Sequence, residues 1–173
     1  MNEEIPQPEN VVMRAVNLES KVRLYNNTLC PLIWNDKTLK DEVRVNLLKI
    51  AKDFYEKTSF KAPIIDINLM GSVANFNWTP ESDLDVHILI DFNQLKTPIE
   101  TAEQIVKSAS SQWNVEHNII IKGHKVELNI QPMTDTKPHV TGIYSLVKNQ
   151  WIRTPKRETL SIDKPKIKNK YQE

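Results

Sequence analysis

Residues 71–91, GSVANFNWTPESDLDVHILID, carry a Gly-Ser pair followed by two aspartates spaced i and i+2, Asp83 and Asp85, at the head of an apolar run. In a strand, alternate side chains project to one face about 6–7 Å apart, so both carboxylates lean toward the same place. Carboxylates in that arrangement suit a pair of divalent ions about 3.5–4 Å apart, the device of two-metal phosphoryl transfer. Glu127 falls on the polar phase of a later strand pattern and is the acid expected to complete the set. Gly71 would let the backbone approach a triphosphate closely. The Ser72 hydroxyl and the N–H groups of a helical turn after it would act as donors.

The elements that must hold these groups are legible from hydrophobic period. Val43, Leu47, Ile50 and Phe54 recur at helical spacing, widened by Leu48, Ala51 and Tyr55, and predict a helix over residues 39–57. Thr38, with Asp41 three residues on, is its expected cap, and the stretch up to Pro63 ends it. Three strands are expected over residues 64–70, 84–90 and 126–131, each alternating apolar with largely polar side chains. That alternation predicts a sheet covered by helices on one face and open or cleft-forming on the other, with Asp83, Asp85 and Glu127 on the open side. A second covering helix is expected over 98–113, from Ile99, Ala102, Ile105, Val106 and Ala109. Residues 118–121 read as a short strand joined to Val126 through a turn at Gly123, and 143–147 with 151–153 as a further hairpin. Residues 11–32 show no settled period.

At 173 residues the chain fits one domain, with residues 1–10 as an arm, 11–155 as the domain and 156–173 as a lysine-rich tail. A formal net charge of +1 gives no support to a broad nucleic-acid-binding surface. No apolar run approaches the roughly 20 residues of a membrane helix, so a membrane partner is not expected. The acidic N-terminal segment lacks the apolar core of a signal peptide, and Cys30 is the sole cysteine, which together predict a cytoplasmic protein. Cys30 is read as a buried or half-buried small apolar residue.

The order GS, spacer, SDLD and apolar strand resembles the nucleotidyltransferase superfamily typified by DNA polymerase beta, poly(A) polymerases and the minimal and antibiotic nucleotidyltransferases. The longer text LCPLIWNDKTLKDEV, GSVANFNWTPESDLDVHILIDF, KVELNIQP and GIYSLVKNQWIRTP resembles predicted nucleotidyltransferases encoded largely by bacteriophages, and this likeness covers most of the chain. The resemblance implies an α+β fold, a mixed sheet of about four to five strands with helices on one face. It implies two Mg2+ ions, or Mn2+, held by Asp83 and Asp85, with Glu127 in place of the third acid. It also implies an NTP contacted by Gly71 and Ser72, from which a nucleoside monophosphate moves to an acceptor with release of pyrophosphate. A phage-encoded protein would act in the host cytoplasm. Two departures accompany it. The superfamily's third acid is usually aspartate, one methylene shorter than Glu127. The usual partner domain that grips the acceptor has no room here, so the acceptor would be either a small molecule or a macromolecule, protein or nucleic acid, held by the irregular segments and the tail.

Plainer readings stand beside these. A module that keeps the fold and binds nucleotide or a partner protein without catalysis is the alternative from another class, and a hydrolase using water as acceptor is a third. Asp91 is expected as a turn cap, and Asp66 as a solvated or buried and paired acid. His87, His117, His124 and His139 lack the spacing of a zinc hydrolase. His87 lies on the polar face with Asp85, where a structural role or a substrate contact is expected. Trp78 is expected either to stack on a base or to plug the sheet edge.

Overall fold

A computed structural model describes residues 25–133 and 142–157, and Asn26–Lys156 form one compact unit. The expected arm, most of the tail, residues 11–24 and His139 lie outside the described residues.

The described fold is α+β. A two-stranded ribbon, β1 (Trp34–Asn35) with β2 (Thr38–Leu39), leads into helix α1 (Asp41–Lys57). The ribbon corrects the expected cap. Thr38 pairs with Asn35 as strand, so it is not free to cap, and the residue before α1 is Lys40, which makes no side-chain cap bond. Burial of Trp34 and Leu39 fixes that ribbon, and Asp41 and Glu42 then face the positive end of the helix. Val43, Leu47, Ala51, Phe54 and Tyr55 form the buried stripe of α1, as their spacing predicts.

The main sheet has six strands in the order β5-β6-β4-β3-β7-β8, one more than the upper expectation. They are β3 (Ile64–Met70), β4 (Leu84–Ile90), β5 (Ile120–Ile121), β6 (His124–Pro132), β7 (Ile143–Ser145) and β8 (Gln150–Arg153). Among the described strands only β4 and β6 run parallel, and the crossover between them contains α2 (Ile99–Glu116). This helix fastens to β6 through polar side chains as well as apolar ones. Asn114 both donates to the Leu128 carbonyl at 3.0 Å and accepts from its N–H at 2.9 Å, and Ser110 accepts from the Ile130 N–H at 3.3 Å. These bonds satisfy backbone groups that β5, only two residues long, does not reach. Phe54 of α1 meets Trp113 of α2 with ring centroids 5.2 Å apart, and both belong to the core that contains Ile67, Leu69, Val86, Ile88, Leu128 and Ile130.

Strict alternation holds on β4 and β6, where every second residue is buried and the intervening ones are half-buried. It fails on β3. Residues 66–70 of that strand are buried on both faces, with Asp66 and Asn68 each only 4% exposed, so the expected open face is closed over β3. A register shift between Ile64 and Asp66 leaves Ile65 without a partner on β4 and turns it outward.

Candidate active site

The loop from β3 to β4 and the starts of β4 and β6 meet at one end of the sheet, because β3 and β4 are antiparallel while β4 and β6 are parallel. Gly71 follows β3 with φ 76° and ψ −166°, a conformation that favours glycine. A Cβ at this position would also overlap Asp85 Oδ2. Glycine is therefore required twice here, by the backbone and by the carboxylate pressed against it.

A 3-10 turn, Ser72–Ala74, comes next, closed by Asn75 N–H donating to the Ser72 carbonyl at 3.0 Å. It is clamped from outside. The Trp34 indole N–H donates to the Val73 carbonyl at 2.8 Å, and Trp34 itself stacks on Trp151 at 4.7 Å and meets Tyr144 edge-on at 5.1 Å. Gly142 lies so close to the Ala74 carbonyl that a side chain there would collide with it.

Ser82 ties the loop together. Its hydroxyl accepts from the Thr79 N–H at 2.9 Å and shares a hydrogen bond with the Ser72 hydroxyl at 2.7 Å. Two hydroxyls sharing one bond leave one proton for a further acceptor, so Ser72 and Ser82 together retain a donor. The Ser82 carbonyl accepts from His124 Nδ1 at 2.6 Å. A carbonyl only accepts, so Nδ1 carries the proton and Nε2 is left as an acceptor for the Cys30 thiol 3.4 Å away. Cys30 is fully buried, the first of the two expected alternatives, and His124 is 2% exposed. This chain anchors the residue before Asp83 to the first residue of β6. Sequence reading gave no role to Ser82, His124 or Trp34. The one available signal for Ser82 was its place directly before Asp83.

Asp85 and Glu127 are register partners on adjacent parallel strands and so project from the same face, with strands about 5 Å apart. Burial pushes the Asp85 carboxyl up from 3.8 to about 6, and the negative charges of Glu127 and Asp83 push it in the same direction. Glu127 and Asp83, the other two acids singled out from sequence, therefore both lie within electrostatic reach of Asp85. Glu127 is paired with Lys125 at 3.1 Å, both groups being about a third exposed. Among the described residues, no three His, Cys, Asp or Glu side chains stand close enough together to hold an ion as placed. The chemistry of the donors still suits a hard divalent cation: Asp85 is a carboxylate penalised by burial and by the negative charge of Glu127 and Asp83, and a cation would offset both.

Asp91, Asp66, Trp78 and His117 resolve toward structural roles. Asp91 caps the short turn Phe92–Leu95, accepting from the Asn93 N–H at 3.0 Å. Asp66 accepts from the Ser145 hydroxyl at 2.7 Å and from its own neighbour's N–H at Ile67 at 2.8 Å, and lies 3.6 Å from Lys148 Nζ. Trp78 packs against the core and gives its indole N–H to the Thr28 carbonyl at 2.9 Å. His117 stacks on Trp113, and His87 Nδ1 is hydrogen-bonded to Gln131 Oε1 at 2.7 Å. No helix among the described residues is long and apolar enough to cross a membrane. Comparisons with protein-family models, curated proteins and solved structures give no match to the chain.

Proposed function

We propose that this protein is a metal-dependent nucleotidyltransferase. It moves a nucleoside monophosphate from an NTP to an acceptor: a bond forms between the acceptor and the α-phosphorus, the α–β bridging bond breaks and pyrophosphate leaves. The observation that carries this reading is the packing of Gly71 against Asp85, with Glu127 in register beside it and Asp83 two residues before. On this reading the six-stranded mixed sheet with its two helices is a nucleotidyltransferase fold, and Asp83, Asp85 and Glu127 would hold two Mg2+ ions. Bound there, the ions would neutralise phosphate charge and activate the attacking group. Gly71 lets the Asp85 carboxylate seat directly against the turn, and the spare hydroxyl proton of the Ser72–Ser82 pair is a donor to the phosphate chain beside it. The clamp from Trp34 onto Val73 keeps that turn in place before substrate arrives.

One observation favours a second reading. Lys125 already pairs with Glu127, and among the described residues no three acids converge as placed, which suits a module that binds nucleotide without transferring it. The test is the full chain with each NTP, Mg2+ or Mn2+, and candidate acceptors, following binding by calorimetry and pyrophosphate by release. Transfer lost in Asp85→Ala supports the enzyme. Binding without turnover, indifferent to Glu127→Gln, supports the module, and absence of both sinks the nucleotide reading.

A further inference from the structure

The face that bears Asp85 and Glu127 carries a second row of polar side chains one pleat further into the sheet. Ser145 on β7 pairs with Asn68 on β3, Asn68 with His87 on β4, and His87 with Asn129 on β6, so four polar residues cross four adjacent strands in a line. The parallel row above it runs Met70, Asp85, Glu127. Two residues along a strand span about 6–7 Å, which is the offset between the rows.

Within the second row Asn68 is exceptional. It is 4% exposed, and its Oδ1 is a buried side-chain oxygen with no hydrogen-bond partner. A buried acceptor left unmatched is costly, and natural folds seldom retain one without use. Ser145 cannot relieve it, because that hydroxyl donates to Asp66 and accepts from the Lys148 N–H at 3.0 Å. His87 and Asn129 are half-buried and Asn68 is buried, so the row is partly exposed on β4 and β6 and enclosed at β3, with His87 Nδ1 oriented by its bond to Gln131 Oε1. The row contains no lysine or arginine, and the nearby Lys148 lies against Asp66. Such a lining does not suit phosphate. It suits an uncharged group bearing an O–H or N–H donor.

We propose that Asn68, His87 and Asn129 form a subsite for the nucleoside portion of the substrate, with Asn68 Oδ1 accepting from a sugar hydroxyl or a base amine. This rests on the nucleotidyltransferase reading and extends it. The acidic row receives the phosphate end, and the neutral row one pleat away receives the end that carries no charge. The division of labour follows from side-chain type alone: acids at Asp85 and Glu127, amides and an imidazole below them.

Calorimetry on the full chain in Mg2+ tests this, with ATP and inorganic tripolyphosphate as paired probes. The wild type should bind ATP more tightly than tripolyphosphate. Asn68→Leu, close in volume but unable to accept, should weaken ATP about tenfold, as expected for one buried hydrogen bond, and leave tripolyphosphate unchanged. His87→Ala and Asn129→Ala should lower ATP affinity in the same selective way, and they carry the test if Asn68→Leu melts early. The 2′-deoxy and 3′-deoxy triphosphates and purine riboside triphosphate identify the donor, since the analogue lacking it should lose affinity in the wild type and not in Asn68→Leu. If tripolyphosphate binds and all three variants bind ATP as the wild type does, the subsite is wrong and Asn68 merely holds a water, while the phosphate site stands. If neither probe binds the wild type, the nucleotide reading falls and this inference falls with it.

Discussion

Replacing Asp85 by asparagine should stabilise the metal-free protein, although Asp85 lies at the centre of the proposed site. Burial and the negative charges of Glu127 and Asp83 push the carboxyl up to about 6 in the folded protein, against an ordinary value of 3.8. The folded protein therefore holds more protons than the unfolded chain between those values, and stability falls as pH rises through that window. At about 1.4 kcal/mol per pH unit the full penalty is about 3 kcal/mol, present above pH 6 and absent below 3.8. Asparagine keeps the shape of the acid and carries no charge beside Glu127 and Asp83. In EDTA at pH 8, Asp85→Asn should exceed the wild type by up to about 3 kcal/mol in urea unfolding, or about 10 °C in melting temperature. At pH 5 the gap should shrink to about half, and near pH 3.5 it should nearly close. Mg2+ should then raise the melting temperature of the wild type and leave the variant unmoved. A variant no more stable than the wild type at pH 8, or a gap indifferent to pH, would refute the claim that burial and crowded negative charge penalise a carboxylate at this position.

Gly71→Ala should be among the most damaging single substitutions, because the methyl group meets Asp85 while the backbone sits at positive φ. A loss of about 3 kcal/mol or more by urea unfolding is expected, falling toward the backbone strain of about 1–3 kcal/mol when Asp85 is also alanine. Trp34→Phe removes the donor to the buried Val73 carbonyl and should cost about 1–3 kcal/mol, together with weaker nucleotide binding as the Ser72–Ala74 turn loosens. Unchanged binding in that variant would show that the clamp serves stability alone.

What the sequence determined by itself was everything with a short-range cause. The stripe from Val43 to Phe54 made α1, and the alternation along residues 84–90 and 126–131 made β4 and β6 and phased Asp85 and Glu127 to one face. Period is a local property, since the backbone geometry of a helix or strand alone decides which side chains share a side. The tertiary structure decided what depends on partners distant in the chain. Thr38 left its expected cap for a ribbon because Trp34 and Leu39 are buried in a core assembled from the whole unit. The polar side of β3 was closed over, which no alternation could announce, since the same pattern suits a wet face or a buried polar one. Ser82 gained its anchor only when folding brought Cys30 to His124 across 94 residues and His124 to Ser82 across 42. The pairing of Asp85 with Glu127 likewise needed the β4–β6 register, set by the crossover through α2. The acids were legible because their phase is local; their mutual repulsion, and the neutral row beneath them, exist only because strands far apart in sequence lie side by side.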